Sequence, residues 1–202
     1  MRKLFTALLF VLGLSAIAAE VPVPESLVRN TSKDVLDVIK KENLTATDKR
    51  FREVVEQKAL PNFDFTRITA LAVGRYWKEA TPEQQAALTR EFKTLLIRTY
   101  STALSANKIQ AIDVKPVKMA DSDADVTVKT EVQVTGGQPF PIDYRLYKAN
   151  GAWKVYDVTV EGVSLVTNYR TSFNQTIQKG GIDGLVKALV DRNAALPTKT
   201  PA

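Results

Sequence analysis

The sequence of 202 residues contains neither cysteine nor histidine. Without cysteine the chain can form no disulfide bond, no thiolate nucleophile and no thiolate metal site. Without histidine it lacks the commonest general base, the usual zinc ligand, and the imidazole of Ser-His-Asp and Cys-His catalysis. An enzyme built on this chain would have to rely on carboxylates, tyrosine, lysine or arginine.

Long apolar runs are also missing, except at the N-terminus. Arg2 and Lys3 begin the chain, residues 4–17 are apolar, and Ala16-Ile17-Ala18 has the small-x-small pattern of a cleavage site. Crossing a bilayer takes about 20 apolar residues, so this run is too short for an anchor. Residues 1–18 are therefore predicted to be a cleaved secretory signal peptide.

The positive charge of the chain is modest and dispersed. The formal net charge is +6, with 28 basic and 22 acidic residues, and it falls by two when Arg2 and Lys3 leave with the signal peptide. Acids and bases alternate along the predicted helices, which is typical of a solvated surface and not of a nucleic-acid site. Weak attraction to an anionic membrane or to an acidic partner stays open.

Apolar residues at helical spacing predict that the first half of the chain is helical. Helices are expected over residues 24–42 and 45–60, where they could form an N-terminal helical subdomain. Asp64 is expected to cap a short third helix that ends at Gly74. The segment Thr81-Pro82-Glu83-Gln84 carries the capping box of a long fourth helix.

The pattern changes near residue 107 to a period of two. Strands are predicted at residues 109–117, 124–134, 142–148 and 152–160, separated by turn-rich pieces. Consecutive strands with short turns make an antiparallel meander, and a helix with a break at Gly180-Gly181 follows it. The fold class is therefore α+β, with helices on one side of a sheet of about four strands. We expect one domain over residues 19–196 and a disordered tail over residues 197–202.

The segment from Trp153 to Arg170 joins the last strand to the closing helix. Strict alternation would place Lys154, Tyr156, Val158 and Val160 on one face, and Trp153, Val155, Asp157 and Thr159 on the other. Glu161-Gly162 is expected to turn the chain, because glycine tolerates a sharp change of backbone direction. The helix after it would then lay Val163, Val166 and Tyr169 over the sheet.

None of the polar motifs in the sequence predicts catalysis. Gly162-Val163-Ser164 is not a nucleophile elbow, because Val166 stands where that motif needs glycine and no histidine could activate the serine. Ser164 is expected instead to bond to backbone at the strand-to-helix corner. Asp143 and Asp157 are interpreted as surface carboxylates or as partners of arginine. No metal site is predicted, since the acids at residues 121–125 lack the glycine and glutamate of a calcium loop.

Several motifs in a shared order resemble a known family. They are DVxxEGVSLVxNYR at residues 157–170, Phe63-Asp64-Phe65, Gly74-Arg75-Tyr76-Trp77-Lys78, Ala80-Thr81-Pro82-Glu83-Gln84-Gln85, Arg98-Thr99-Tyr100, Asp143-Tyr144-Arg145-Leu146 and Gly180-Gly181-Ile182. Each piece is short, but together, behind a signal peptide, they resemble the MlaC or toluene-tolerance family of periplasmic phospholipid-binding shuttle proteins of the Mla pathway. The resemblance covers about residues 27–189.

The resemblance implies a fold, a location and a function. The fold would be an NTF2-like curved sheet wrapped by helices, and the protein would lie in the periplasm. It would carry glycerophospholipid between the outer and inner membranes and so maintain outer-membrane lipid asymmetry. Its partners would be an outer-membrane lipoprotein–porin complex and an inner-membrane ABC transporter complex with an MCE-domain ring. It would need no cofactor besides the lipid cargo and would not be an enzyme.

A lipid carrier implies an apolar cavity, and the faces of the predicted elements nominate its lining. The candidates are Phe63, Ile68, Leu71, Trp77, Phe92, Leu96, Tyr100, Leu104, Val128, Val132, Tyr144, Leu146, Trp153, Val163, Val166 and Tyr169. For each of them plain core packing is the alternative, because both roles use the same residue types. Arg75 and Arg170 are candidates for the phosphate at the mouth, or else ordinary surface arginines.

Two functions of other classes stay open on the sequence. One is an NTF2-like enzyme that uses a carboxylate, Asp143 or Asp157, on an apolar substrate. The other is a periplasmic adaptor that bridges membrane proteins and holds no ligand.

Overall fold

The computed structural model describes residues 23–45, 48–106, 109–120 and 122–195. The predicted signal peptide, the predicted C-terminal tail and Asp121 lie outside these ranges. No helix within the described ranges is both long enough and apolar enough to cross a membrane.

The described residues form five α-helices and two short 3-10 turns. The helices are α1 (Pro24–Lys41), α2 (Lys49–Lys58), α3 (Phe65–Val73), α4 (Pro82–Ala106) and α5 (Leu165–Ala195), with 3-10 turns at Leu60–Asn62 and Gly74–Lys78. Gly181 interrupts α5 with a backbone φ of 68°, so the break predicted at Gly180-Gly181 is confirmed.

The strands form one curved, open antiparallel sheet in the order β1-β2-β3-β4-β5. They are β1 (Ile109–Val114), β2 (Asp125–Val134), β3 (Phe140–Ala149), β4 (Ala152–Val160) and β5 (Val163–Ser164). The α+β class and the meander are confirmed. The sequence did not predict β5, because two residues are too few to display a period. β1 ends earlier than predicted, next to Pro116, which has no N–H to donate to a ladder.

The predicted helix caps are confirmed. The backbone N–H of Thr81 donates to Oε1 of Gln84 at 3.0 Å, and the N–H of Gln84 donates to Oγ1 of Thr81 at 3.2 Å. Asp64 accepts a hydrogen bond from the N–H of Arg67 at 2.8 Å at the start of α3. Gly74 ends that helix with a φ of 68°, which favours glycine.

The protein has two separate apolar clusters. The helical cluster lies between α3, α4 and α5, where the rings of Tyr169 and Phe173 each meet Phe92 edge-on at 4.9 Å between centroids. The sheet cluster joins Val28 of α1 to residues of the sheet, such as Val128 and Leu146. We keep these two names below. Helix α1 thus covers the sheet at β1 and β2, and α2 packs on α1.

A β-bulge interrupts β4. Val155 pairs with Leu146 and Asp157 pairs with Arg145, so Tyr156 has no residue opposite it. Beyond the bulge Val158 pairs with Tyr144, which lies on the same face of β3 as Leu146. Val155, Val158 and also Val160 therefore share one face. The strict alternation predicted for this strand is wrong past Val155, because one extra residue shifts the register.

The corner after β4 is a tight turn fastened by a buried carboxylate. Glu161 and Gly162 have φ values of 49° and 83°, so the chain reverses as predicted. Asp157 accepts hydrogen bonds from the Ser164 hydroxyl at 2.7 Å and from the N–H of Val166 at 3.3 Å. The Ser164 hydroxyl oxygen in turn accepts from the N–H of Thr167 at 3.1 Å. The structural role predicted for Ser164 is confirmed, whereas the surface position expected for Asp157 is wrong.

Removing this carboxylate should destabilise the fold. In Asp157→Ala the hydroxyl of Ser164 and the N–H of Val166 lose a charged acceptor. We therefore expect the free energy of unfolding to fall by about 2–3 kcal/mol in urea denaturation. Asp143→Ala is the matched control, since Asp143 forms no hydrogen bond or ion pair with described residues and should change stability by only about 0.5 kcal/mol. Equal losses in the two variants would contradict this role of Asp157.

Candidate ligand-binding cavity

A large cavity lies between the concave face of the sheet and the helices. Its volume is about 1260 Å³, and its lining is mostly apolar. One wall is the inner face of α1 and α2, a second is the concave face of the sheet, and a third is α4 with the start of α5. The main apolar lining residues are Leu27, Val28, Val35, Leu36, Ile39, Phe51, Val55, Phe63, Phe65, Ile68, Leu96, Ile97, Tyr100, Ile109, Ile112, Val132, Phe140, Ile142, Tyr144, Val155, Val158, Val160 and Leu165.

The cavity is too large to be an ordinary packing defect of the protein interior. Interior voids destabilise a protein by about 24 cal/mol per Å³, so a dry, sealed void of this volume would cost about 30 kcal/mol. That exceeds the roughly 5–15 kcal/mol by which folded domains are stable. The volume also exceeds the roughly 300–1,000 Å³ typical of small-molecule sites. The volume and the apolar lining of the cavity suit a large apolar ligand.

The mouth of the cavity is polar. Its exposed lining residues come from the end of α1, the start of β1, the β2–β3 turn and the β4–β5 turn, and they include Lys40, Gln110, Gln138 and Glu161. The Lys40 ammonium donates to the backbone carbonyl of Gln110 at 2.5 Å. Among the lining residues that the structure describes, Lys40 carries the one positive charge. A ligand with an apolar body and a polar end would match this arrangement.

Several polar groups within the lining are paired with other parts of the protein. The side-chain amide of Asn62 donates to the Thr31 hydroxyl at 2.8 Å, joining the 3-10 turn at Leu60–Asn62 to α1. Asp157 is bonded to the β5–α5 corner as described above. Both of its oxygens are used in holding that corner, which is the arrangement of a helix cap and not that of a free general base.

Tyr144 differs from these paired groups. Its side chain is half-buried and lines the cavity. Burial raises the pKa of the phenol to about 12. Its hydroxyl forms no hydrogen bond with any residue that the structure describes. Tyr100, across the cavity on α4, also has a raised pKa, chiefly from burial and then from the nearby Tyr169.

The structure brings part of the sequence-nominated set together at the cavity. Phe63, Ile68, Leu96, Tyr100, Val132 and Tyr144 all line it. Their contact with a ligand remains a prediction.

Most of the other nominated residues lie in the two packed clusters. Phe92, Val166 and Tyr169 are in the helical cluster, with Trp77 packed against it. Val128, Leu146 and Trp153 are in the sheet cluster. They do not line the cavity, because α1 covers one part of the concave face and α3, α4 and α5 pack against one another. Their contact with a ligand stays a prediction. Sequence periodicity identifies an inward face but not what covers it.

Two further nominated residues lie elsewhere. Leu71 is 37% exposed on α3, and Val163 is 55% exposed because β5 turns it outward before α5 begins. Neither residue lines the cavity, and their contact with a ligand also stays a prediction. The side chain of Leu104 lies outside the described part of the structure.

Arg75 and Arg170 are exposed and do not line the cavity; Arg75 donates instead to the Tyr76 hydroxyl at 2.8 Å.

Sequence reasoning missed the wall formed by α1 and α2. The apolar stripe of α1, including Val35, Leu36 and Ile39, faces the cavity together with Phe51 and Val55 of α2. The α1 stripe is only half-buried. The helical period of the α1 stripe was visible in the sequence. The period did not show that the stripe faces an open cavity and does not pack directly on the sheet.

No metal centre is evident at the cavity or elsewhere in the described ranges. They contain no group of three histidine, cysteine, aspartate or glutamate side chains placed to hold an ion.

Comparison with known proteins gives consistent matches. The family model described as "MlaC protein" matches residues 29–191. The chain is 29% identical to the toluene tolerance protein ttg2D of Pseudomonas putida over 186 residues, which are 91% of this chain and 85% of that protein. It is 25% identical to the intermembrane phospholipid transport system binding protein MlaC of Haemophilus influenzae over 194 residues, 92% of this chain and 91% of that one.

A solved structure is similar as well. It is the phospholipid-binding protein from Ralstonia solanacearum in complex with a phospholipid, with a TM-score of 0.78 and 40% identity. The match covers 85% of this chain and 97% of that chain.

The enclosure of Tyr144 predicts a pH dependence of stability. Its pKa in the folded protein is about 12, against 10.0 for an ordinary phenol. Between pH 10 and pH 12 the phenol of Tyr144 therefore stays protonated in the folded state, whereas it loses its proton in the unfolded state. The free energy of unfolding should fall as the pH rises through this range and be unaffected at neutral pH. The contribution of Tyr144 to this loss is about 2–3 kcal/mol. Urea denaturation should show a smaller alkaline loss in Tyr144→Phe; identical pH profiles for this variant and the parent would contradict the burial.

Proposed function

Because the chain belongs to the MlaC family, we propose that it binds a glycerophospholipid, with the acyl tails in the cavity and the headgroup at the polar mouth. The observation that carries the proposal is the cavity of about 1260 Å³, apolar inside and polar at one end. The similar protein from Ralstonia solanacearum, 40% identical, is in complex with a phospholipid.

The energetics support a carrier. Moving two acyl chains of roughly 15 methylenes each through water would cost about 24 kcal/mol, at about 0.8 kcal/mol per CH₂. A protein that carries such a lipid must enclose its tails. An exposed headgroup would make few buried contacts, so we expect weak discrimination between headgroups.

The lining residues of the cavity are the proposed lipid contacts. From the sequence-nominated set these are Phe63, Ile68, Leu96, Tyr100, Val132 and Tyr144. The inner faces of α1 and α2 extend the same apolar surface and would hold the rest of the tails. Lys40 at the mouth is a nearer candidate for the phosphate than Arg75 or Arg170, which lie away from the cavity.

We further propose that the protein works in the periplasm as the lipid-carrying member of an Mla system. The predicted N-terminal signal peptide supports export, and the family supports the pathway. The partners would be an outer-membrane lipoprotein–porin complex and an inner-membrane ABC transporter complex with an MCE-domain ring. The role would be to move glycerophospholipid between the two membranes and maintain outer-membrane lipid asymmetry. Binding and release need no catalytic group, so the protein would act as a carrier and not as an enzyme.

Lipid extraction tests the proposal directly. Protein purified from a bacterium under detergent-free conditions should yield glycerophospholipid on organic extraction, detected by mass spectrometry. It should also take up lipid when incubated with vesicles. Preparations that are repeatedly lipid-free and take up none would overturn the carrier and favour a ligand-free adaptor. Turnover of an apolar substrate that Asp157→Asn abolishes without loss of binding would favour an enzyme.

Filling the cavity should displace the lipid without unfolding the protein. Val158 is a half-buried lining residue of β4, and Val158→Trp places a large apolar side chain in the space proposed for the tails. We expect the lipid content per protein to fall by about half or more, while the thermal unfolding midpoint stays within about 5 °C, because the new ring enters open volume.

Thr127→Trp is the matched control for this variant. Thr127 is exposed on β2, in the same sheet, and does not line the cavity. The control should carry as much lipid as the parent protein. Equal lipid content in all three proteins would contradict the assignment of the cavity as the lipid site.

A further inference from the structure

Tyr144 presents a hydrogen-bond donor inside an apolar wall. It lies in β3 between Val128 of β2 and Val158 of β4, its partners across the sheet. The side chain is half-buried and lines the cavity. As described above, its hydroxyl has no partner among the described residues. The donor is therefore directed at whatever occupies the cavity.

The hydroxyl of Tyr144 is open to the cavity: among the described residues, the sealed side-chain polar atom without a partner is Oδ1 of Asn193. When an apolar ligand displaces the water of the cavity, an unpaired hydroxyl becomes unfavourable relative to an apolar group of the same shape. A ligand that supplies an acceptor at this position removes that cost.

The tyrosines on the opposite face of the sheet show the contrast. The Tyr156 hydroxyl donates to Oδ2 of Asp125 at 2.5 Å, and the Tyr147 hydroxyl donates to Asp64. Those two phenols lie outside the cavity, and the protein supplies their acceptors. For Tyr144, which faces the cavity, it supplies none.

The surroundings of Tyr144 favour an uncharged acceptor. A phosphate bound beside Tyr144 would lose its hydration, and a nearby cation would be needed to compensate for that loss. The one basic side chain in the described lining is Lys40, which is exposed at the mouth with its ammonium on the Gln110 carbonyl. Of the oxygen acceptors in a glycerophospholipid, the ester carbonyls are uncharged and stand between the headgroup and the tails.

We propose that the Tyr144 hydroxyl donates a hydrogen bond to an ester carbonyl of the bound lipid and gives the protein a preference for ester-linked over ether-linked glycerolipids. This inference rests on the proposed function and adds a point of selection to it. The selection acts at the glycerol backbone and is independent of the headgroup, which remains at the mouth. A neutral hydrogen bond of this kind accounts for about a 3- to 10-fold preference.

A competition experiment measures this preference. The full chain is incubated with vesicles that contain equal amounts of dipalmitoyl phosphatidylcholine and its diether analogue, which has the same headgroup and tail length but no carbonyls. The protein is re-isolated, and the ratio of the two lipids and the total lipid per protein are measured by mass spectrometry. The parent protein should take up the ester lipid in about 3- to 10-fold excess over the ether lipid.

Two variants isolate the hydroxyl. Tyr144→Phe keeps the ring and should bring the ratio close to one, chiefly through lower uptake of the ester lipid. Tyr156→Phe makes the same chemical change on the opposite face of the sheet and should keep the parental ratio. Thermal unfolding of both variants verifies that they are folded.

The outcomes separate this inference from the proposed function. If the parent protein takes up neither lipid, the proposed function fails, and this inference fails with it. If the parent takes up both lipids equally, or if Tyr144→Phe keeps the parental ratio, lipid binding stands and ester recognition is overturned. Equal loss of both lipids in Tyr144→Phe would overturn it too, because the acceptor would then be a headgroup oxygen that the two lipids share.

Discussion

The separation of the apolar residues into two clusters is the constraint on which the rest of the structure depends. The helical cluster and the sheet cluster are each well packed, and the cavity lies between them. Phe63 packs against both clusters, and the next residue along, Asp64, donates its N–H to the Val155 carbonyl at 2.9 Å. The contacts of Phe63 and Asp64 therefore set the distance between the helices and the sheet. The protein can therefore remain folded around a large internal space.

The local features of the fold were predictable because each has a short-range cause. The capping box at Thr81 and Gln84, the cap at Asp64 and the turn at Gly162 all arise from the chemistry of residues within four positions of one another. The meander followed from four alternating segments with short turns between them. The β4 bulge was not predictable, because a strand with a bulge contains the same types of residue as a regular strand. It brings the neighbours Asp157 and Val158 both to the cavity, where one holds the start of α5 and the other lines the wall.

The cavity itself was only partly predictable. Sequence patterns mark which face of an element is apolar, and this sufficed for Leu96, Tyr100, Val132 and Tyr144. They do not tell whether an opposing face is in contact or several ångströms away, so Phe92 and Val128 were assigned to the wall although both are packed. The wall formed by α1 and α2 was missed for the same reason. Tyr144 offered one usable signal in the sequence, a polar atom in the middle of an apolar strand face.

The two-cluster arrangement also bears on how such a protein can diverge. Residues inside a packed cluster must fit their neighbours, so changes in size are selected against by the stability of the fold. Residues of the cavity wall border open volume on one side, and that restriction is weaker for them. Mutations there can alter the shape of the space while the clusters keep the protein folded. The cargo can thus change over evolutionary time largely independently of the architecture that encloses it.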